Sequence, residues 1–146
     1  MTTTQPALEG SDQNPVVILR EGGDLTPRPH PWRIMVFADG RIRTLSTERR
    51  VPPERVRDLL RQLRQLGLPE IDSAGLVDEL KAAGEFQQII EGGHGCVTID
   101  LRVDGQDHSV TLAHPEVYQK TTVQSVQRFL QAIAAVRALA AGQDQP

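Results

Sequence analysis

The 146-residue chain carries one cysteine, Cys96, so no disulfide can close within it and a reducing compartment suits it. Aromatic residues make up 3% of the sequence, so aliphatic side chains must fill the core, and rings on which single-stranded bases could stack are scarce. No apolar run approaches the length of a membrane span. The opening stretch MTTTQPALEGSDQN has no basic segment followed by an apolar one. It does not read as a secretory signal, and the cytoplasm is the expected location. The glycine-rich stretches EGGD and GGHG are followed neither by a Lys-Ser/Thr step nor by a clean strand-to-helix transition, which argues against a phosphate loop.

What is present fits one soluble domain. A hydrophobic fraction of 38% and a charged fraction of 24%, over this length, allow a core of useful size. Residues 1–14 read as a disordered leader, 15–140 as a single α+β domain and 141–146 as a frayed tail. The domain is organised around residues 95–114, GCVTIDLRVDGQDHSVTLAH, a β-hairpin closed by Asp104-Gly105. A two-residue loop there sets Leu101 opposite His108, Ile99 opposite Val110 and Val97 opposite Leu112, one mostly apolar face. The other face pairs Arg102 with Asp107, Asp100 with Ser109 and Thr98 with Thr111, all favourable cross-strand neighbours. A slip of one residue would scramble both faces.

Elsewhere, 15–20 (PVVILR) reads as a strand and 21–31 (EGGDLTPRPHP) as a loop, extended in part by its alternating prolines. Residues 32–47 read as a second hairpin turning at Asp39-Gly40; a two-residue loop would face Phe37 with Ile42, Val36 with Arg43 and Ile34 with Leu45. Residues 52–66 read as a helix with proline in its first turn, a stripe of Val56, Leu59, Leu60, Leu63 and Leu66, and a stop at Gly67. Asp72 or Ser73 can cap a short helix ending near Gly84, and Phe86, Ile89 and Ile90 fit either helix or strand. From Pro115 onward the pattern is helical, with Val126, Phe129, Leu130, Ile133 and Val136 as its stripe. Two units of hairpin plus helix result, a possible ββα pseudo-repeat, giving an antiparallel sheet with helices on one face. A strand VVILREGG, a hairpin with FADGRI, a helix ending in LGL and a second Asp-Gly hairpin resemble bacterial, often lipoprotein-anchored, domains of unknown function. The chain departs from them in having no lipobox, and the resemblance implies a fold without implying an activity.

Candidate chemistry is sparse. His94, Cys96, His108 and His114 raise the possibility of zinc, but the hairpin register separates them. His108 and His114 lie near opposite ends of the apolar face, roughly 20 Å apart at strand spacing, and Cys96 falls on the other face. Only His94 and Cys96 share a face, and two ligands do not build a structural site. The same pair with Asp100 would be the nucleophile and base of an enzyme, but nothing forces a hydrogen bond between them. No catalytic set, no cofactor and no metal are therefore expected. Charge is the positive signal: residues 41–64 hold eight arginines against three acids, a net +5, while 65–116 carry a net −8. Arg49, Arg50, Arg57, Arg61 and Arg64 could present a basic surface to an acidic protein or to nucleic acid. The plainer alternative is that they are solvated or neutralised within the fold. Trp32, after the proline loop, reads as a core plug or a surface anchor. The expectation is a small non-enzymatic module that binds protein or itself, with an anion or nucleic-acid binder as the alternative and a Cys/His enzyme as a third reading.

Overall fold

A single central strand joins the two hairpins into one sheet. The computed structural model describes residues 14–22, 31–87, 95–103 and 105–142. Its strands are β1 (Val17–Gly22), β2 (Trp32–Val36), β3 (Arg41–Thr44), β4 (Glu48–Arg50), β5 (Cys96–Val103) and β6 (Gln106–Ala113). Its helices are α1 (Pro53–Gln65), α2 (Ser73–Ala82) and α3 (Gln124–Ala140), with 3₁₀ turns at Leu68–Glu70 and Pro115–Tyr118. The sheet runs β4-β3-β2-β1-β5-β6, antiparallel throughout, so β1 lies between the hairpins.

The architecture is α+β. The β5–β6 register runs from Cys96 opposite Ala113 to Val103 opposite Gln106, the pairing that a loop at 104 and 105 dictates. All three cross-strand pairs of the polar face are made: Thr98 and Thr111 hydroxyls lie 2.7 Å apart, Ser109 donates to Asp100 at 2.5 Å, and Arg102 Nε donates to Asp107 at 2.7 Å. That last bond lowers the Asp107 carboxyl below its ordinary range. On the opposite face Val17, Leu19, Val36, Ile42, Ile99 and Val110 are wholly buried and meet Leu63, Leu76, Leu80 and Phe129 from the helices in one core. Each such side chain contributes about 1.5–3 kcal/mol on leaving water.

The first hairpin departs from its expected register. Val36 faces Ile42, Met35 faces Arg43 and Ile34 faces Thr44, one residue away from the two-residue-loop pairing. The cause is the turn. Phe37 N–H donates to the Arg41 carbonyl, and Gly40 N–H donates to Phe37, so the loop holds three residues with Gly40 at φ 101°. This register places Ile34, Val36 and Ile42 together in the core.

Other boundaries move for local reasons. Glu21 and Gly22 extend β1 because they pair with Val97 and Cys96. The charged triplet 48–50 forms an unanticipated edge strand, so the first unit is hairpin, strand and helix. The α1 helix stops as its spacing predicts, with Gly67 at φ 78° donating to the Arg64 carbonyl. Asp72 caps α2 by accepting from Gly75 N–H. The chain after Pro115 is a 3₁₀ turn and then α3 from Gln124, because Thr121 Oγ1 accepts Val123 N–H and Glu85 accepts from Thr121 and Thr122. The Thr121 bond, with those from Thr122, lowers the Glu85 carboxyl. Leu130 is only partly buried. Phe86 lies in neither helix nor strand and is 37% exposed. The expectations for the leader before Asn14, for Pro27 and Pro29, for Ile89, Ile90 and His94, and for the last four residues lie outside the described residues.

Candidate functional site

The five arginines singled out by charge do not form one surface. Arg49 and Arg50 are successive residues of β4 and point to opposite sides of the sheet. Arg49 is half-buried, and its Nη1 donates to the carbonyls of Leu139 and Ala140 at 3.2 and 3.4 Å. Those carbonyls end α3, where Leu139 also accepts Gly142 N–H, so a cation there gives both a charged donor and opposes the negative end of the helix dipole. Arg49→Ala is expected to cost about 1–2 kcal/mol. Chemical denaturation checks this, and a loss no larger than that of exposed Arg57→Ala would remove Arg49 from this role. Arg50 Nη1 donates to the Asp39 carbonyl at 3.3 Å. Arg57, Arg61 and Arg64 are exposed along α1, with Arg61 held to Asp58 at 2.7 Å.

Trp32 is half-buried, lies outside the core and pairs with Arg20 on the face away from the helices. On that face Arg20 Nε meets Asp100 at 2.6 Å. Cys96 is also on it, yet only 3% exposed, so the expected wet position is a buried one. His108 Nε2 lies 2.7 Å from the Ile71 carbonyl, and His114 Nδ1 lies 3.3 Å from Glu116. Among the described residues no three His, Cys, Asp or Glu side chains converge on a possible metal position, and no helix is long and apolar enough to cross a membrane.

Sequence reasoning missed the concave feature that stands out on the surface. A groove of about 820 Å³ runs beneath α3 across the ends of β2, β1 and β5. Its apolar lining is Leu130, Ile133, Ala134 and Ala138 from α3, Val97 from β5 and Pro115 from the turn after β6. Leu130, Ala134 and Ala138 form a second stripe beside the buried one, and Ile133 belongs to the buried stripe at its border. The turn's entry is fixed by His114, at φ 51° the only non-glycine residue with positive φ among those described; its N–H donates to Gly95.

One end of the groove is charged. Arg137 Nη2 binds Glu21 Oε2 at 2.6 Å, and Arg33 Nε approaches Glu21 Oε1 at 3.8 Å. Arg33 would face away from α3 if β2 alternated regularly. The pairing jumps, however: Leu19 opposes Ile34 while Arg20 opposes Trp32, which leaves Arg33 as the extra residue of a β-bulge. A bulge turns its extra side chain out of alternation, and here it brings Arg33 to the groove. No composition or spacing signal marks such a bulge. Comparison with protein-family models, with curated proteins and with solved structures finds no match to this chain.

Proposed function

We propose that the protein is a non-enzymatic recognition module that holds a segment of another protein in the groove along α3. The supporting observation is the groove itself, lined by apolar side chains of α3, β5 and the turn after β6 together with a few charged ones, Glu21, Arg33, Glu116 and Arg137. That is the composition of sites that bind by burial and orient by a few polar contacts. The reading also fits the candidate catalytic residues: Cys96 is buried, and Asp100 is engaged by Arg20 and Ser109.

The test fills the groove. Ala134 is exposed and Ala138 partly so, so Ala134→Trp and Ala138→Trp add bulk at the groove without entering the core. A random dodecapeptide phage library is panned on the full chain and on each variant. Apolar peptides retained by the full chain and at least tenfold less by both tryptophan variants are the expected result. The absence of peptides that discriminate the variants would end the proposal. An oligonucleotide bound with steep salt dependence, and lost on neutralising Arg57, Arg61 and Arg64, would move the function to the α1 flank. Light scattering at low and high salt would reveal self-association.

A further inference from the structure

We propose that the Arg33–Arg137 end of the groove is an anion-reading subsite, which takes the carboxylate of an Asp or Glu side chain in an otherwise apolar peptide. This rests on the reading of the groove as a peptide site and adds the chemistry that would fix the peptide's position. Three observations carry it. Among the described residues, two guanidiniums share one carboxylate, Glu21, at this end of the groove, an excess of one positive charge. The share is unequal: Arg137 makes a hydrogen bond to Glu21, whereas Arg33 stands 3.8 Å off, within ion-pair range but beyond hydrogen-bond range. And the β-bulge at Arg33 gives up regular pairing in β2 to aim this one side chain at the groove.

The physical consequence is specific. Arg33 is 44% exposed and Arg137 52% exposed, so both can be reached from the groove. A guanidinium offers a planar fork of donors that matches a carboxylate in two-point geometry. An incoming carboxylate would take up the donors that Glu21 leaves to Arg33, while the neighbouring apolar residues settle over Leu130, Ile133 and Ala138. At the other end, Glu116 enters from the turn after β6, separated from Arg33 by β1 and β5. The groove is therefore polarised, and the acidic residue of the peptide is directed to the β2 end.

The experiment uses the same dodecapeptide library, displayed so that no free C-terminus is present. Peptides retained by the full chain but not by Ala134→Trp are expected to share an Asp or Glu beside apolar residues. The best of them is synthesised with an amidated C-terminus and a fluorophore, and its affinity is read by anisotropy. Arg33→Gln is expected to weaken binding about tenfold, the loss of one charged hydrogen-bonded pair. Replacing the peptide's acid by its amide should cost a similar factor, and the two changes together should cost little more than either alone. Glu21→Gln, which removes the competing carboxylate, should tighten binding severalfold. Thermal unfolding of each variant confirms that it is folded; if Arg33→Gln is not, Arg33→Lys replaces it and should retain part of the affinity. Groove-dependent peptides with no acidic preference, or losses from Arg33→Gln and the peptide amide that simply multiply, overturn the subsite and leave the groove reading standing. Weaker binding by a folded Glu21→Gln chain overturns it as well. No groove-dependent peptide at all overturns both.

Discussion

Gly40→Ala should lower the unfolding free energy by about 3 kcal/mol or more, because two separate costs fall on one methyl group. The first is conformational. Gly40 holds φ 101°, which costs an L-residue roughly 1–3 kcal/mol. The second is steric: a Cβ at position 40 would lie 2.0 Å from the carbonyl oxygen of Val51. That atom belongs to the backbone, so no rotamer change relieves it. Val51 cannot simply withdraw either, since its N–H donates to the Gly40 carbonyl at 2.9 Å and its side chain is 5% exposed in the core. Overpacking of this kind adds about 1–3 kcal/mol. The site is where β4 leaves the sheet and α1 begins, so relief requires the helix start to move. Gly84→Ala is the matched control. Its φ is 73° and nothing lies within 4 Å of a Cβ there, so it reports the conformational cost alone. Denaturation midpoints and slopes for both variants decide the matter. A Gly40→Ala loss within about 1 kcal/mol of the Gly84→Ala loss would mean that the approach of Val51 relaxes at little cost.

The same turn shows why one hairpin was legible and the other was not. At 96–113 polar and apolar residues alternate cleanly, so a shift of one residue sends Ile99 and Val110 to the wrong face, and only one register survives. At 32–45 the run Ile34-Met35-Val36-Phe37 is apolar on both faces. Alternation then cannot choose between a two-residue loop and a three-residue loop, and an Asp-Gly pair serves both. The structure uses Gly40 as the left-handed third residue and gives Asp39 another task. Burial raises the Asp39 carboxyl, but the hydrogen bonds from Arg41 N–H and its guanidinium, with the charges of Arg41 and Arg50, lower it overall. The edge strand Glu48–Arg50 was invisible for a related reason: charged residues are what protected edges carry, so they do not read as a strand.

The candidate site was less legible than the fold. Charge pattern drew attention to the arginines at 41–64, yet Arg49 serves the end of a helix some 90 residues away in sequence. Such a contact is fixed by topology and has no local signature. Arg33 reaches the groove only through a bulge, and the lining of the groove uses alanines of α3 that any helix-forming stretch would contain. The core stripe of α3, by contrast, followed from spacing, because Val126, Phe129, Ile133 and Val136 recur at helical intervals and are all buried.

Phe129 carries the second large effect, and here the scarcity of aromatic residues matters. Of the three phenylalanines, Phe37 is buried under Arg41 on the side of the sheet away from the helices and Phe86 is partly exposed. Phe129 is the phenylalanine of the main core, with no exposed surface and the largest volume among its fully buried side chains. Truncation to alanine should cost about 3–5 kcal/mol, the lost transfer energy plus the cavity that rigid neighbours leave open. In a domain of ordinary stability, about 5–15 kcal/mol, that approaches unfolding. Phe129→Leu keeps most of the volume and should cost about 1–1.5 kcal/mol while leaving a folded chain. This milder variant links the core to the groove. The residues after Phe129 on the same helix, Leu130, Ile133 and Ala134, line the groove, and their position depends on how firmly α3 is seated. Phe129→Leu is therefore expected to weaken peptide retention in the panning assay even though it touches no part of the groove. Unchanged retention by a folded Phe129→Leu chain would show that α3 is held in place by its other contacts, Arg49 at its C-terminal end among them. A Phe129→Ala loss below about 2 kcal/mol would show that the helices close over the missing ring.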